Sequence, residues 1–177
     1  METNDLQIRR ETLLKQMILL PQQMVKIHGT YNTHDFLLHK LCQKDCFNLS
    51  KAAYFLDNPD FDVCKGIAGF HQDQSYKNSN HWDEADAFEK HMNICSFNRS
   101  VKDISLPSLK RNNKNIPDMV KDISDDLHIE QPLYLSWPVK HGNSGILLFE
   151  SNDLLGHQHI QEHLEAGVHF LSLCPLF

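Results

Sequence analysis

The sequence predicts an α+β domain in which a central antiparallel sheet of about five to six strands is flanked by helices. Short apolar runs occur in pairs separated by turn-forming residues, which is typical of antiparallel hairpins. Segments with a helical period lie between those pairs and at both ends of the chain. Strand pairs separated by helices favour an α+β architecture with one antiparallel sheet.

Length and composition are consistent with a single such domain. The chain has 177 residues, of which 41% are hydrophobic and 23% charged, enough apolar side chains to form a core. We expect an N-terminal helical extension over residues 1–30, with a possible role in dimerisation, followed by a sheet-containing domain over residues 31–177. No apolar run approaches the roughly 20 residues that a membrane span needs, so we expect no membrane association.

The charge and the cysteines restrict the classes of partner and the compartment. The net charge is −6 and the basic residues are scattered, whereas nucleic-acid-binding domains usually have a basic face. The N-terminus lacks the pattern of a signal peptide. An odd number of cysteines, five in all, then favours free thiols in a reducing compartment. We therefore expect a cytoplasmic protein that makes no direct contact with nucleic acid.

The first two elements are predicted to be helices. Apolar residues recur at helical spacing over Leu6–Ile27, and Pro21 is expected to kink or split that helix. Its apolar stripe can pack on the chain's own sheet or on a second copy. A second helix is expected to begin at Thr33, whose hydroxyl group can cap it, and to face the core with Phe36 and Leu37.

The next segment is predicted to be a hairpin. The apolar runs Ala52–Leu56 and Val63–Phe70 flank the turn-forming residues Asp57–Asp60, the arrangement of two antiparallel strands. Glycines in a strand interior mark a bulge or the close approach of another backbone. Gly66 and Gly69 are expected to serve one of these purposes.

The middle of the chain returns to helical spacing. Residues Trp82–Cys95 are predicted to form a helix, and Val101 and Ile104 a short strand. The polar stretch Ser105–Asn115 is expected to be a loop, followed by a short helix over Pro117–Leu127 with Asn115 as its cap.

The last third contains the clearest pattern. Leu133–Val139 is predicted to be a strand that ends near a proline, which edge strands tolerate. Lys140–Asn143 has the composition of a turn, and Gly145–Phe149 is an almost wholly apolar second strand. A helix over His157–Leu173 closes the predicted order.

This last pattern resembles a known family. A strand over Leu135–Val139, a turn, a glycine-led strand over Gly145–Phe149 and then a helix resemble the closing part of a GAF domain, a sensory relative of PAS domains. The stretch Lys51–Phe70 resembles the family's opening hairpin, so that the resemblance covers about Tyr31 to Leu173. The layout is also similar to the autoinducer-binding domain of LuxR-type regulators, but we find no DNA-binding helix-turn-helix motif after Leu173.

The resemblance implies a sensory or regulatory module that binds a small-molecule ligand or a regulatory protein and forms a homodimer through its terminal helices. Ligand binding would favour one arrangement of the loop over residues 105–130 and bias the helices by population shift. The resemblance also implies which aromatic and methionine side chains line the pocket, although their spacing is equally typical of core residues. These are Tyr54, Phe70, Trp82, Phe88, Met92, Tyr134 and Trp137.

Two other functions are compatible with the sequence. A metal-binding protein or thiol-dependent enzyme could use the histidine cluster at the start of the last helix, because histidines four residues apart on a helix can hold zinc or copper. That cluster is His157, His159 and His163, and a second candidate trio is His39, Cys42 and Cys46. The third possibility is an interaction adaptor whose pocket is filled by its own side chains.

Enzyme signatures are otherwise missing from the sequence. The motifs of nucleotide-binding loops and of serine hydrolases are absent. One enzymatic branch of the GAF family reduces free methionine sulfoxide with cysteines, and this chain has no cysteine between Ser96 and Leu173. We therefore expect no catalytic residues and no cofactor.

Overall fold

The paired apolar runs form one antiparallel sheet. The computed structural model describes residues 2–78, 80–151 and 158–174. Within these ranges the strands are β1 (Leu49–Asn58), β2 (Val63–His71), β3 (Ser105–Leu106), β4 (Leu133–Pro138) and β5 (Ser144–Ser151). They pair in the order β3-β2-β1-β5-β4. The predicted α+β class with a central antiparallel sheet is confirmed.

Helices precede, interrupt and follow the strands. They are α1 (Glu2–Ile27), α2 (Thr33–Cys42), α3 (Ala85–Ile94), α4 (Ser96–Asp103), α5 (Ile116–Leu127) and α6 (Gln158–Gly167). The predicted last helix changes at its end into a 3₁₀ segment, Val168–Leu173. No helix in the described part of the chain is both long and apolar enough to cross a membrane.

The sheet has a hydrophobic core on each face, because alternate residues of a strand point to opposite sides. On the first face, Tyr54 and Leu147 belong to a cluster with residues of α1, α2, α3 and α6. On the second face, Phe55 and Ile146 belong to a cluster with residues of α4 and α5. The first-face core includes α2, in which every residue from Thr33 to Cys42 is buried.

The glycines of β2 provide the space in which α4 packs. The β1–β2 register shifts between Tyr54 and Phe55, which leaves Ile67 as the extra residue of a bulge. A Cβ atom added at Gly66 would overlap the main-chain carbonyl of Val101, and one at Gly69 would press on the Val101 side chain. The predicted bulge and close backbone approach are both confirmed.

The short strand predicted at Val101 and Ile104 is wrong. Val101 lies inside α4, and the strand β3 begins at Ser105, directly after Ile104. Beyond this short pairing the edge of β2 is covered by Asn98, whose Oδ1 accepts a hydrogen bond from Gly69 N at 2.7 Å. A side chain thus takes the place of a neighbouring strand, one of the ways in which proteins protect a sheet edge.

Pro21 does not split the first helix as predicted. α1 runs without a break from Glu2 to Ile27. Leu20, Met24 and Ile27 are buried against the core on both sides of the proline. Their burial holds in place a helix that the missing proline N–H weakens locally.

Helix capping follows the prediction at α5 but not at α2. Asn115 Oδ1 accepts a hydrogen bond from Asp118 N at 2.8 Å, as a capping residue does. At α2 the predicted cap, Thr33, is the first helical residue. Asn32 occupies the capping position, and its side chain makes no capping hydrogen bond.

Candidate functional site

The seven predicted pocket residues do not surround one cavity. Six of them are buried in the first-face core. Tyr134 pairs with Leu148 of the second-face set and is 40% exposed. The structure brings together Tyr54 and Trp137 in one group, and Phe70, Trp82, Phe88 and Met92 in another.

Trp137 fastens the edge strand β4 to the C-terminal segment. Its ring stacks on Tyr54 with centroids 5.8 Å apart, and its Nε1 donates a hydrogen bond to Ser172 Oγ at 2.6 Å. A Cβ atom at Gly145 would lie 2.5 Å from this indole, which explains the glycine at the start of β5. These contacts give Trp137 and Tyr54 a packing role.

The second group is an aromatic cluster around Phe88. Phe36 of α2 lies 4.3 Å from Phe88, and His81 lies 4.8 Å from it, between ring centroids. The cavity that touches Phe70 and Met92 measures only about 10 Å³, room for about one water molecule. Another cavity, of about 170 Å³, touches Phe70 from the side of His39 and Tyr76. The cluster is therefore closely filled around Met92 and open beside Phe70, and the indole N–H of Trp82 is buried without a hydrogen-bond partner.

Two histidines of this cluster are held in the neutral form. His81 Nε2 lies 3.0 Å from the Phe36 carbonyl oxygen, and His39 Nε2 accepts a hydrogen bond from Tyr76 N at 3.0 Å. Burial lowers the pKa of His81 to about 4. Burial, together with the neighbouring His81, lowers the pKa of His39 to about 3.

A larger cleft lies beside the edge of β2. It measures about 570 Å³ and is lined by four segments that are distant in sequence: residues 29–34, residues 65–67, Glu89 and Lys102. The first of these segments connects α1 to α2. The second contains the β2 bulge, and the last two residues belong to α3 and α4.

An ion pair between a half-buried lysine and a buried aspartate lies at one wall of this cleft. Lys102 Nζ lies 2.6 Å from Asp35 Oδ2, whereas the other carboxylate oxygen, Oδ1, is buried without a hydrogen bond. Burial raises the pKa of Asp35, and the Lys102 ammonium opposes that rise. The pair joins the first turn of α2 to the end of α4.

His34 lines the cleft next to this pair. It is 4% exposed, its ring stacks on Tyr54 with centroids 5.7 Å apart, and its Nε2 atom has no hydrogen-bond partner. Burial, with the Lys102 charge as a second cause, lowers the pKa of His34 to about 4. The cleft is therefore bordered by a residue whose neutral imidazole is buried against Tyr54.

A second cavity lies on the opposite face of the sheet, under the loop that was predicted to move. It measures about 310 Å³ and combines an apolar floor, which includes Leu106 and Met119, with the carboxylates of Asp118, Asp122 and Asp126. The loop is held at its start by Asp57, whose carboxylate oxygens accept hydrogen bonds from Leu109 N and Lys110 N at 3.0 and 3.1 Å.

The histidine and cysteine clusters show no metal site. Within the part of the chain that the structure describes, no group of three histidine, cysteine or acidic side chains is placed to hold a metal ion. His157 and the side chain of His159 lie outside the described residues. His163 is described and half-buried.

The thiols have the environment of structural cysteines. All five are free and buried. Burial raises the pKa of each, to about 12 for Cys46, Cys64 and Cys174, and also above its usual value for Cys42 and Cys95. In the trio of His39, Cys42 and Cys46, both ring nitrogens of His39 are in hydrogen bonds.

Similarity to known proteins was sought at three levels. No family model, no curated protein and no solved structure matches this chain. Any inference about function therefore depends on the geometry described above.

The cleft residues were not singled out from the sequence. One indication was available in α2, whose sequence mixes Thr33, His34, Asp35, His39 and Lys40 with large apolar residues. A helix with polar residues on every side and apolar residues among them is buried only if those polar groups find partners. Such a helix is a place to look for a polar site.

Proposed function

We propose that this protein is a GAF-like sensory or regulatory module that binds a small molecule in the cleft beside β2 and works as a homodimer through α1. One observation carries the proposal: the cleft is lined by the segment that connects α1 to α2. A ligand there would contact the connection directly. Its binding energy could then favour one position of α1 over another.

The connection has the features of a hinge. Gly29 has a φ of +77° and no atom within 4 Å of the position its Cβ would occupy, so the chain reverses there in open space. Two residues later, Tyr31 donates a hydrogen bond to Asp86 Oδ1 of α3 at 2.6 Å. The connection is thus attached to α3 at Tyr31 and has free space around Gly29.

α1 supports the association of two copies. Its inner stripe is buried, but a second stripe is exposed, with Leu14 at 37%, Ile18 at 74% and Val25 at 77%. The spacings of four and seven residues place these three side chains on one line of the helix, as in the seam of a coiled coil. Such a line on an exposed helix favours a second, identical helix as its partner.

The size of the stripe indicates a weak dimer. Three side chains in one line form a small apolar patch on each copy. Two copies that met only through these side chains would bury less than the roughly 1,200 Å² of stable complexes. A ligand shifts an equilibrium only by the difference between its affinities for the two states. A weak, reversible dimer is therefore one that a ligand of moderate affinity can shift.

Sedimentation equilibrium of the wild type and two variants tests the dimer. We expect wild-type protein to show a monomer–dimer equilibrium and Ile18→Glu to be monomeric. Ile94→Glu is the matched control, because Ile94 of α3 is 77% exposed and lies off the stripe, and it should leave the equilibrium unchanged. A monomeric wild type, or equal loss in both variants, would overturn the role of α1.

One variant tests the link between the cleft and the dimer. Gly29→Ala adds a side chain in open space, so its effect comes from the backbone strain of a positive φ at a non-glycine residue. We expect a changed dimer dissociation constant although Gly29 is outside the stripe. If a folded Gly29→Ala variant has an unchanged dimer dissociation constant, the connection beside the cleft does not influence dimerisation through α1.

A further inference from the structure

We propose that α1 pairs with α1 of a second copy in the antiparallel orientation, so that Leu14 of each copy packs on Val25 of the other. Ile18 of each copy then packs on Pro21 of the other. This inference rests on the proposed homodimer and specifies how the two copies meet. It places the N-terminal turns of one α1 beside the α1–α2 connection of the other copy.

The spacing of the exposed stripe on α1 allows this orientation. Leu14, Ile18 and Val25 are exposed, and Pro21, which is also exposed, lies on the same side of the helix. The steps between these four positions are four, three and four residues. Because this series is the same in both directions, an antiparallel copy sets an apolar side chain opposite each one of the stripe. A parallel copy does the same, so that the flanking residues decide between the two.

The charges beside the stripe disfavour a parallel pair. Glu11 is exposed and lies seven residues before Ile18, on the line of the stripe. In a parallel pair each Glu11 would face the Glu11 of the other copy. Arg10, at one edge of the stripe, would meet Lys15 at the facing edge of the other helix, and both are exposed. Like charges that face each other at such positions oppose the pairing.

The same charges favour an antiparallel pair. The symmetry that sets Leu14 on Val25 also sets Glu11 beside the end of the other α1. The last turn there carries Lys26, and the exposed His28 follows it. In the described part of the chain neither Glu11 nor Lys26 forms an ion pair within its own copy. The two ends of the stripe are therefore complementary in charge when one helix is reversed.

The N-terminal turns of α1 have few contacts within their own copy. None of the side chains of residues 5–12 is buried, and Leu6 and Ile8 are 38% and 55% exposed. Helical turns without tertiary packing are marginally stable in water, so a second copy would stabilise them. A parallel copy would meet them along the stripe only through Gln7 and Glu11, which are polar, whereas an antiparallel copy offers the last turns of its own α1.

The antiparallel pair also connects the dimer with the cleft. The connection that follows α1 supplies residues 29–32 to the cleft wall. In the antiparallel register the first turns of the other α1 extend along the end of the helix as far as this connection. A ligand that shifts the connection would therefore change contacts between the two copies, as well as contacts within one.

An exchange of charges tests the orientation, with the dimer dissociation constant measured by sedimentation equilibrium at low salt. Glu11→Lys and Lys26→Glu should each raise that constant by about threefold or more, because each change sets like charges together twice in the symmetric pair. The combined variant Glu11→Lys/Lys26→Glu should return it to within about twofold of the wild type. The control exchange Lys90→Glu/Asp103→Lys, at exposed positions off the stripe, should change nothing. A combined variant at least as weak as the weaker single variant would overturn the antiparallel pair.

A distance between the two copies gives an independent reading. A spin label is attached to an Asp5→Cys variant, at an exposed position near the start of α1, while the native thiols are buried. The helix rise of about 1.5 Å per residue places the two labels about 40–45 Å apart in the antiparallel pair and within about 20 Å in a parallel pair. A short distance between the labels in pulsed electron resonance would overturn the inference.

The failure of this inference and that of the proposed dimer can be distinguished. If Ile18→Glu abolishes the dimer but the labels lie close together and the charge exchange restores nothing, the antiparallel orientation is refuted and the dimer through α1 stands. If the wild-type protein is monomeric at every concentration, both fail, and the stripe belongs to a different partner.

Discussion

Three buried histidines should make the folded protein sensitive to mild acid. Burial lowers the pKa of His34 and His81 to about 4 and that of His39 to about 3, whereas a histidine in an unfolded chain titrates near pH 6.5. As the pH falls, the unfolded chain therefore binds protons before the folded chain does. The stability is complete above about pH 6.5 and is lost progressively between about pH 6.5 and pH 4.

The size of the loss follows from these values. Between about pH 7.5 and pH 5, each histidine loses about 2 kcal/mol of linkage free energy, because it is protonated in the unfolded chain and still neutral in the folded one. The three together give about 6 kcal/mol, comparable with the total stability of about 5–15 kcal/mol of an ordinary domain. Asp35 offsets part of this loss of stability. Because its pKa is raised by burial, the folded chain also binds a proton, at the Asp35 carboxylate, as the pH falls.

Urea denaturation at constant ionic strength measures this loss. We expect the free energy of unfolding to fall steeply from about pH 7.5 to pH 5, and His34→Gln to remove about 2 kcal/mol of that fall. His28→Gln is the control, because His28 is exposed, and it should leave the fall unchanged. A free energy of unfolding that is equal at the two pH values would refute the assignment of these histidines as buried and neutral.

Three further predictions concern packing and the thiols. Gly145→Ala should destabilise the protein by about 1–3 kcal/mol in thermal or urea unfolding, because its methyl group would overlap Trp137, and the loss should shrink in a Gly145→Ala/Trp137→Leu double variant. Asn98→Ala leaves a strand-edge N–H and a helix carbonyl without partners and should cost about 2–4 kcal/mol, whereas Asn93→Ala, at an exposed position of α3, should cost little. All five cysteines should react slowly with iodoacetamide in the native protein and quickly in urea, because burial raises their pKa; fast labelling of any one without urea would contradict its burial.

The hairpins could be predicted because their signals are local. The run Ala52–Leu56, the turn after it and the run Val63–Phe70 lie within twenty residues, and the structure pairs them as β1 and β2. The same is true of β4 and β5. Each signal consists of apolar residues and turn formers at fixed spacing, and no distant residue is needed to interpret it.

α4 could not be predicted in this way. Its eight residues, Ser96–Asp103, are mostly polar, with Phe97 and Val101 as the apolar ones. What makes the segment a packed helix is the space above Gly66 and Gly69, more than 25 residues earlier in the chain. The strand prediction at Val101 failed because this tertiary contact overrides local preference.

The cleft was beyond prediction for a related reason. Lys65, Glu89 and Lys102 are separated by many residues, and each alone has the appearance of an ordinary surface charge. The aromatic residues chosen from the sequence were instead drawn into the core, because helical and strand periodicity identifies buried faces and not cavities. Sequence periodicity therefore identifies the residues of packed faces but not the residues that line cavities.

The position of α2 determines how a ligand in the cleft could act on the rest of the molecule. The helix is buried on all sides and its first turn borders the cleft, so moving it would open the first-face core at a cost far above the binding energy of a small ligand. The response must therefore pass to the parts of the cleft wall that are less tightly packed. The α1–α2 connection around the exposed Gly29 is such a part. The connection leads directly into the helix with the exposed stripe. Since Leu13, Leu20 and Ile27 of α1 are themselves buried in the first-face core, the response we expect is a small shift of α1 that keeps these contacts and changes how the stripe meets its partner.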